Sequence, residues 1–534
     1  MTNSRKETIC KALWVSAPLV FTAIVCLPVV DESFRFLGGD NAVYLLSGRG
    51  IAEGKGYAAF WRADIVSYVK YPPLFPAFIA LFMKTAGENL LVVKSAQVFL
   101  LCVSALACLL CVNVLKRSLA ALVAAAAFSS YALVFYTGQL LSEVLYVALS
   151  FGAILYFEAC FQKEDEADDG FFVPCRGSGL KCLVWGSALA VMAGLTRVVG
   201  FCLVFVVVFF LLKEAVRERK RRARHIGFAA AIVFLSSLWP VRNLLLSGTP
   251  AGAYGGEIFL KDPYYPGAGK IDAAGLIGRV IEQAGMYVTD AAGGLFLWED
   301  APQVLLYAVI VLLVPVAVSL VRGLKKGSPL CAYVALYFLL ICFWPYYQER
   351  FIVPLLPLLV IMLVRGTFFL GERALKRPEA AQAFVYVLFA AMLIAHVAGS
   401  AGLYFEMKYE KKRGLAKLET GTPVRFPHAG SVALWRTCME LRRVAGEGDV
   451  VMARKASLVA LATGLPAVPI PYRTSDRVIS HIQENKVRYI IMDRMFPESQ
   501  RYLVPLLKRP DVRLEKMSCT ADDLTCLYFV KSID

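Results

Sequence analysis

With 58% of its 534 residues hydrophobic and only 18% charged, and a mean hydropathy of +0.60, this chain falls outside the composition of a water-soluble domain. Its apolar residues come in blocks of about twenty, the length of helix that crosses roughly 30 Å of hydrocarbon, and the short alternating segments of a closed β-barrel are missing. A net charge of +16 does not imply nucleic acid, because the basic residues sit in the breaks between apolar blocks, where membrane topology puts them.

The first block, 12–30, follows Arg5, Lys6 and Lys11 and ends in Pro28-Val29-Val30-Asp31 without a small-residue cleavage pattern, so it reads as a retained anchor. A long loop, 31–89, comes next. Further spans are predicted at 90–115, 118–138, 143–161, 181–196, 198–212, 226–246, 302–321, 329–346, 351–370 and 381–404, about eleven in all. The pair 181–196 and 198–212 is short for two full crossings. With the N-terminus in the cytosol, the inner loops collect Lys116, Arg117, the run 217–224, Arg322, Lys325, Lys326, Arg365, Arg373, Lys376 and Arg377, which is the positive-inside pattern. The loops 31–89 and 247–301, where acidic residues match or outnumber basic ones, then lie outside.

Residues 1–404 therefore form the membrane domain. From 405 to 534 the apolar runs shorten, as in Asp449-Val450-Val451-Met452 and Val487-Arg488-Tyr489-Ile490-Ile491-Met492, and helix-like stretches separate them. The tail reads as a small α/β domain, placed outside the cytosol by eleven spans. Of fourteen cysteines, most lie singly in apolar blocks and read as small core residues. Cys519 and Cys526 would pair as a hairpin disulfide in an oxidising compartment.

The first loop carries Gly38-Gly39-Asp40-Asn41-Ala42-Val43-Tyr44, then Gly54-Lys55-Gly56-Tyr57, then Lys70-Tyr71-Pro72-Pro73-Leu74. A carboxylate at the end of a span is expensive to desolvate unless it has a partner or a task. Double proline suits a helix that begins at the membrane surface, its first turn preset in φ. Later segments stand at other span ends: Ser142-Glu143, Gly194-Leu195-Thr196-Arg197, Trp239-Pro240-Val241-Arg242-Asn243, and Glu349-Arg350 before Pro354 and Pro357.

In order and location these elements resemble the GT-C superfamily of membrane glycosyltransferases, in particular protein O-mannosyltransferases and aminoarabinose transferases. The resemblance implies a polytopic α-helical GT-C fold and an inverting, metal-independent transfer of a sugar from a polyprenyl-phosphate donor. The donor is a substrate, and no cofactor is expected. Asp40 matches the family's first acidic residue, the candidate general base. Glu143 matches a second acid that binds or orients acceptor or sugar. Lys70, Arg197, Arg242 and Arg350 are candidates for the donor phosphate, and Tyr44 and Tyr57 for substrate contact. In aminoarabinose transferases a lysine directly precedes the double proline, whereas here Tyr71 intervenes, which turns Lys70 in a different direction.

Each candidate has a plainer reading. Asp40 and Glu143 could be helix-start acids favoured by the dipole. Arg242 and Arg350 could anchor span ends by snorkelling, and Asp64 could be an ordinary loop residue. Arg197 lies between two apolar blocks, where an unpaired charge is costly. His225, His396, His428 and His481 are scattered and suggest no metal site. The acidic stretch 163–169 lacks metal-loop spacing. Two rivals to a monosaccharide transferase are a lipid or sugar transporter, which needs no base, and an oligosaccharide-transferring relative, whose Trp-Trp-Asp motif and metal carboxylates are not visible in the tail.

Overall fold

The computed structural model describes residues 3–63, 65–111, 116–161, 179–249, 254, 256–296, 303–374, 376–413, 416–521 and 523–533. Asp64 and the stretch 163–169 lie outside them. In chain order the helices are α1 (Asn3–Cys26), α2 (Asp40–Ala52), α3 (Leu74–Ala86), α4 (Leu90–Cys111), α5 (Arg117–Phe128), α6 (Tyr131–Thr137), α7 (Glu143–Phe161), α8 (Gly179–Thr196), α9 (Phe201–Arg217) and α10 (Arg222–Ser247). They continue with α11 (Ala273–Phe296), α12 (Gln303–Ile310), α13 (Val314–Lys326), α14 (Pro329–Phe343), α15 (Leu356–Phe369) and α16 (Pro378–Lys412). The tail adds α17 (Ala429–Val444), α18 (Ala456–Thr463), α19 (Ser475–Glu484) and α20 (Pro497–Leu503).

The chain is an integral membrane protein. Eight helical stretches among the described residues are long and apolar enough to cross a bilayer, and ten if each of two bent pairs is one span. The roughly eleven spans expected from the sequence count the two arms of the second pair, 302–321 and 329–346, as separate spans. The first pair, α5 and α6, corresponds to 118–138; it bends by 54° at Ser129-Ser130, where the Ser130 hydroxyl caps α6. The second, α13 and α14, turns through 117°. Gly327 takes a positive φ of 74° there, and Ser328 with Pro329 starts the next helix. The spans expected to be short are not: α8 has 18 residues and the apolar stretch 198–217 has 20.

Two elements differ from expectation. The loop 247–301 contains α11, whose five glycines and whose Arg279, Glu282 and Asp290 break any continuous apolar block; only one face of it is buried. Helix α16 runs to Lys412, past the expected boundary at 404, because its last turns carry charges with partners.

Ten strands among the described residues complete the architecture: β1 (Phe34–Arg35), β2 (Ala58–Ala59), β3 (Val66–Ser67), β4 (Ala416–Lys417), β5 (Pro423–Arg425), β6 (Val450–Ala453), β7 (Ala467–Pro469), β8 (Val487–Asp493), β9 (Val512–Cys519) and β10 (Thr525–Ile533). A five-stranded sheet in the tail has the order β7-β6-β8-β10-β9. Strand β6 is parallel to β7 and β8, while β10 is antiparallel to β8 and β9. The buried β6 and nearly buried β8 explain their continuous apolar runs. From β6 the chain passes through α18 to one side, then returns through α19 to the other, so a topological switch lies at the carboxyl end of β6, where such sheets bind ligands. Cys519 and Cys526, directly paired in the β9–β10 hairpin, form a disulfide.

The tail is tied to the membrane half. Strand β1 in the first loop pairs in parallel with β5. Around this junction Arg35 meets Glu406 and Glu410 on α16, Arg425 meets Glu410, and Lys94 on α4 meets Asp31 at 2.6 Å. Each buried charge has a counter-charge, as burial demands, and the network sets the first loop against α4, α16 and the tail.

Candidate functional site

Asp40 opens α2, where a carboxylate meets the positive end of the helix. The turn before it requires Gly38, with φ +68°. Behind it, Asn41 donates to the Arg35 carbonyl, and Ser457 of α18 donates to the Gly39 carbonyl at 3.0 Å. Tyr71 donates its hydroxyl to Oδ1 and Arg350 a guanidinium N–H to Oδ2, both at 2.5 Å. Burial alone would raise the Asp40 pKa; the charges of Arg350 and Lys70 and the two hydrogen bonds outweigh it and hold the carboxyl well below the usual range. At neutral pH it is a carboxylate.

Arg350 comes from the segment between α14 and α15, a pair of tight turns at Glu349–Phe351 and Val353–Leu355. Tyr337 of α14 donates to the Phe351 carbonyl, and Arg350 itself donates Nε–H to Gln348. Glu143, first residue of α7, is fully buried. It pairs with Arg197 and stands 3.7 Å from Arg350. Arg197 is extended between α8 and α9. The chain can reverse there because a Cβ on Gly200 would stand 2.5 Å from the Ala193 carbonyl oxygen, leaving room for glycine alone. Arg197 also donates to Ser142, which shares a hydrogen bond with Tyr44. Asp40, Arg350, Glu143 and Arg197 thus alternate in sign, brought together from four distant parts of the chain.

Two cavities meet at Asp40. One, about 120 Å³, is mostly apolar and runs among Val198, Val199, Leu340 and Ile341, with Arg197, Tyr44 and Tyr254 on its walls. The other, about 690 Å³, is wider and more polar than the first, between the first loop, the segment around Tyr264, and the carboxyl ends of β6 and β7. Asp40, Tyr71, Arg350, Tyr254, Trp344 and Phe351 line both. The larger volume suits a sugar-sized ligand.

The candidates from the sequence divide accordingly. Asp40, Arg350, Arg197 and Tyr44 face the apolar cavity, and Lys70 faces the polar one. Glu143 lines neither and reaches the site only through its arginines. Lys70 lies over the rings of Tyr71 and Tyr254, 5.4 and 5.7 Å from their centroids; the intervening Tyr71, the departure noted in the sequence, is what binds Asp40. Tyr57 and Arg242 line neither of these two cavities. Tyr57 donates to the Tyr71 carbonyl, and Arg242, stacked on Trp239 and Tyr57, donates to the carbonyls of Tyr57 and Tyr68. They build the lip formed by 57–63 and 65–69, which reaches the tail through a hydrogen bond from the Ala467 amide to the Trp61 carbonyl. Substituting Arg242 by Ala is expected to raise protease nicking of 57–69 about tenfold, as the loss of two charge-assisted hydrogen bonds at a partly exposed site predicts; Lys, lacking the planar fork, restores little of it. Cleavage unchanged in limited proteolysis would remove this anchoring role.

Sequence reasoning missed Arg454, Lys455, Glu257 and Tyr254, all in the polar cavity. For the first two there was a signal: a basic pair directly after a short apolar strand and before a helix. Glu257 and Tyr254 stand in a segment without pattern. Among the described residues the only three His, Cys, Asp or Glu side chains close enough to share one ion are Cys519, Asp523 and Cys526, whose sulfurs are joined to each other.

Helices long and apolar enough to cross a bilayer, a first loop carrying an acid, and an α/β tail lining the site define a polytopic membrane protein, and the solved structures it is similar to give its fold as GT-C. No protein-family model matches the chain, and no curated protein matches it by sequence. Among solved structures it is similar to ArnT from Cupriavidus metallidurans bound to undecaprenyl phosphate, at 10% identity and a TM-score of 0.56 over 96% of this chain and 97% of that one. It is also similar to the Archaeoglobus fulgidus oligosaccharyltransferase tethered to an acceptor peptide, at 11% identity and a TM-score of 0.56 over 98% of this chain and 74% of that one.

Proposed function

We propose that the protein is an inverting, metal-independent glycosyltransferase that moves a monosaccharide from a polyprenyl-phosphate donor to an acceptor outside the cytosol, a glycan, lipid or protein of the cell envelope. In this reading the N-terminus is cytosolic and the tail extracytoplasmic, in the plasma membrane. The observation that carries the reading is the placement of Asp40 on the wall shared by an apolar and a polar cavity. A donor whose prenyl chain stays in hydrocarbon enters from the apolar side, its phosphate among Arg197, Arg350 and Lys70. The acceptor enters from the polar side. Asp40 takes the proton of the attacking hydroxyl as the sugar–phosphate bond breaks, and the cations stabilise the departing phosphate. Arg350 couples the two events: turning to the donor phosphate, it releases Asp40, whose pKa then rises toward that of a useful base.

Further support comes from the fold likeness to ArnT, solved with undecaprenyl phosphate. The test is incubation of purified protein with radiolabelled polyprenyl-phosphate sugars and cell-envelope extract. Labelled product with release of polyprenyl phosphate is expected. Absence of turnover with any lipid-linked sugar, or movement of the intact lipid-linked sugar across vesicles, would favour a transporter instead.

A further inference from the structure

The wider cavity holds a cation, Lys455, that meets no carboxylate in direct contact among the described residues. Lys455, half-buried at the start of α18, has no carboxylate within ion-pair distance among the described residues; its ammonium lies over the Phe496 ring at 4.6 Å. Lys70, on the opposite wall, lies over the Tyr71 and Tyr254 rings and shares its charge with Asp40 and Glu257. The other groups around Lys455 are already engaged. Asp40 holds Arg350, Glu498 on α20 holds Arg454 at 3.4 Å, and Asp493 at the end of β8 accepts from the Phe496 amide. Ala456 and Ser457, in the first turn of α18, line the same wall, so the positive end of that helix adds to the field. Next to the lysine, Arg454 lies between the rings of Tyr264 and Tyr472, 5.4 Å from each centroid, and these rings offer a face for a sugar. A half-buried cation without a carboxylate in contact is unfavourable; a cavity that keeps one beside a helix start is poised for an anion.

We propose that the wall formed by Lys455 and the start of α18 is a subsite for an anionic sugar, its phosphate or carboxylate held there while its ring lies against Tyr264 and Tyr472, and that this sugar belongs to the acceptor. Its role as acceptor rests on the proposed glycosyl transfer; the binding of an anionic sugar does not. The location agrees with the fold, since the subsite sits at the switch at the carboxyl end of β6. It is distinct from the donor phosphate position, which lies across Asp40 toward Arg197.

The experiment is calorimetric titration of the full-length protein in detergent with glucose 6-phosphate, glucuronate, glucose and inorganic phosphate. At least one anionic sugar is expected to bind ten or more times more tightly than glucose. Lys455→Gln abolishes that difference, and Lys455→Arg retains it. Burial first, and then the Arg454 charge, push the Lys455 pKa down to about 8. Lys455 therefore loses its proton as the pH rises through that value, and binding to the unsubstituted protein weakens up to about tenfold between pH 7 and 9. Lys455→Arg removes this dependence. Equal binding of glucose, equally tight binding of inorganic phosphate, or no effect of Lys455→Gln in a protein with an unchanged unfolding temperature would each overturn the subsite. Failure of the transfer assay would leave it standing, and transfer to anionic acceptors at undiminished rates in Lys455→Gln would remove its acceptor role without touching glycosyl transfer.

Discussion

Asp40→Asn is expected to lower glycosyl transfer by about two to four orders of magnitude, the range a positioned general base contributes, while donor binding is kept. The fold should tolerate the change. The Asn carbonyl still accepts from the Tyr71 hydroxyl that now meets Oδ1 at 2.5 Å, and α2 still begins after Gly38 and Gly39. Arg350 loses a carboxylate held at 2.5 Å, so its guanidinium is freer to meet the donor phosphate, and polyprenyl phosphate is expected to bind as tightly or more tightly. The measurement is single-turnover transfer beside equilibrium binding of polyprenyl phosphate. Transfer within threefold of the unsubstituted rate would assign the proton to another group. Lost binding together with lost transfer would mean that Asp40 organises the cavity without acting as a base.

Glu143→Gln should be the most destabilising change in the site. Glu143 is fully buried against Arg197 and 3.7 Å from Arg350. Arg350 keeps Asp40, but Arg197 is left with the Ser142 hydroxyl at 3.3 Å. Removing one partner of a buried ion pair costs about 3–5 kcal/mol, because the remaining charge stays desolvated. Thermal unfolding followed by tryptophan fluorescence should register the loss. Polyprenyl phosphate should raise the unfolding temperature of the variant more than that of the unsubstituted protein, since its phosphate supplies the missing anion. An unchanged unfolding temperature would show that Arg197 is not charged against Glu143 in solution. A loss that the lipid cannot restore would place the donor phosphate away from Arg197.

Much of the site was legible in the chain. Asp40, Glu143, Arg197 and Arg350 stand at helix or span ends, and a charge there is conspicuous because hydrocarbon tolerates it only with a partner. Tyr57 and Arg242 stand in the same kind of place and differ only in where they point. The planar fork of Arg242 fits two backbone carbonyls as well as it fits a phosphate, and sequence position does not tell these apart. Lys455 was passed over because a lysine after a strand is ordinary. It matters through the first loop and α20, which bring Asp40, Lys70 and Glu498 around it from far away in the chain.

The sequence by itself determined that the chain spans a membrane, where most of its helices lie, and that the tail is α/β, because bilayer thickness sets the length of an apolar helix and a buried parallel strand reads as a continuous apolar run. Helix α11 escaped it, since five glycines and three charges erase the block that marks a span. Only the tertiary structure decided which charges pair, which line a cavity and which hold up a loop. Those outcomes depend on side-chain direction to within an ångström or two, and that is set by contacts between segments hundreds of residues apart, as in the 310-residue separation of Asp40 and Arg350.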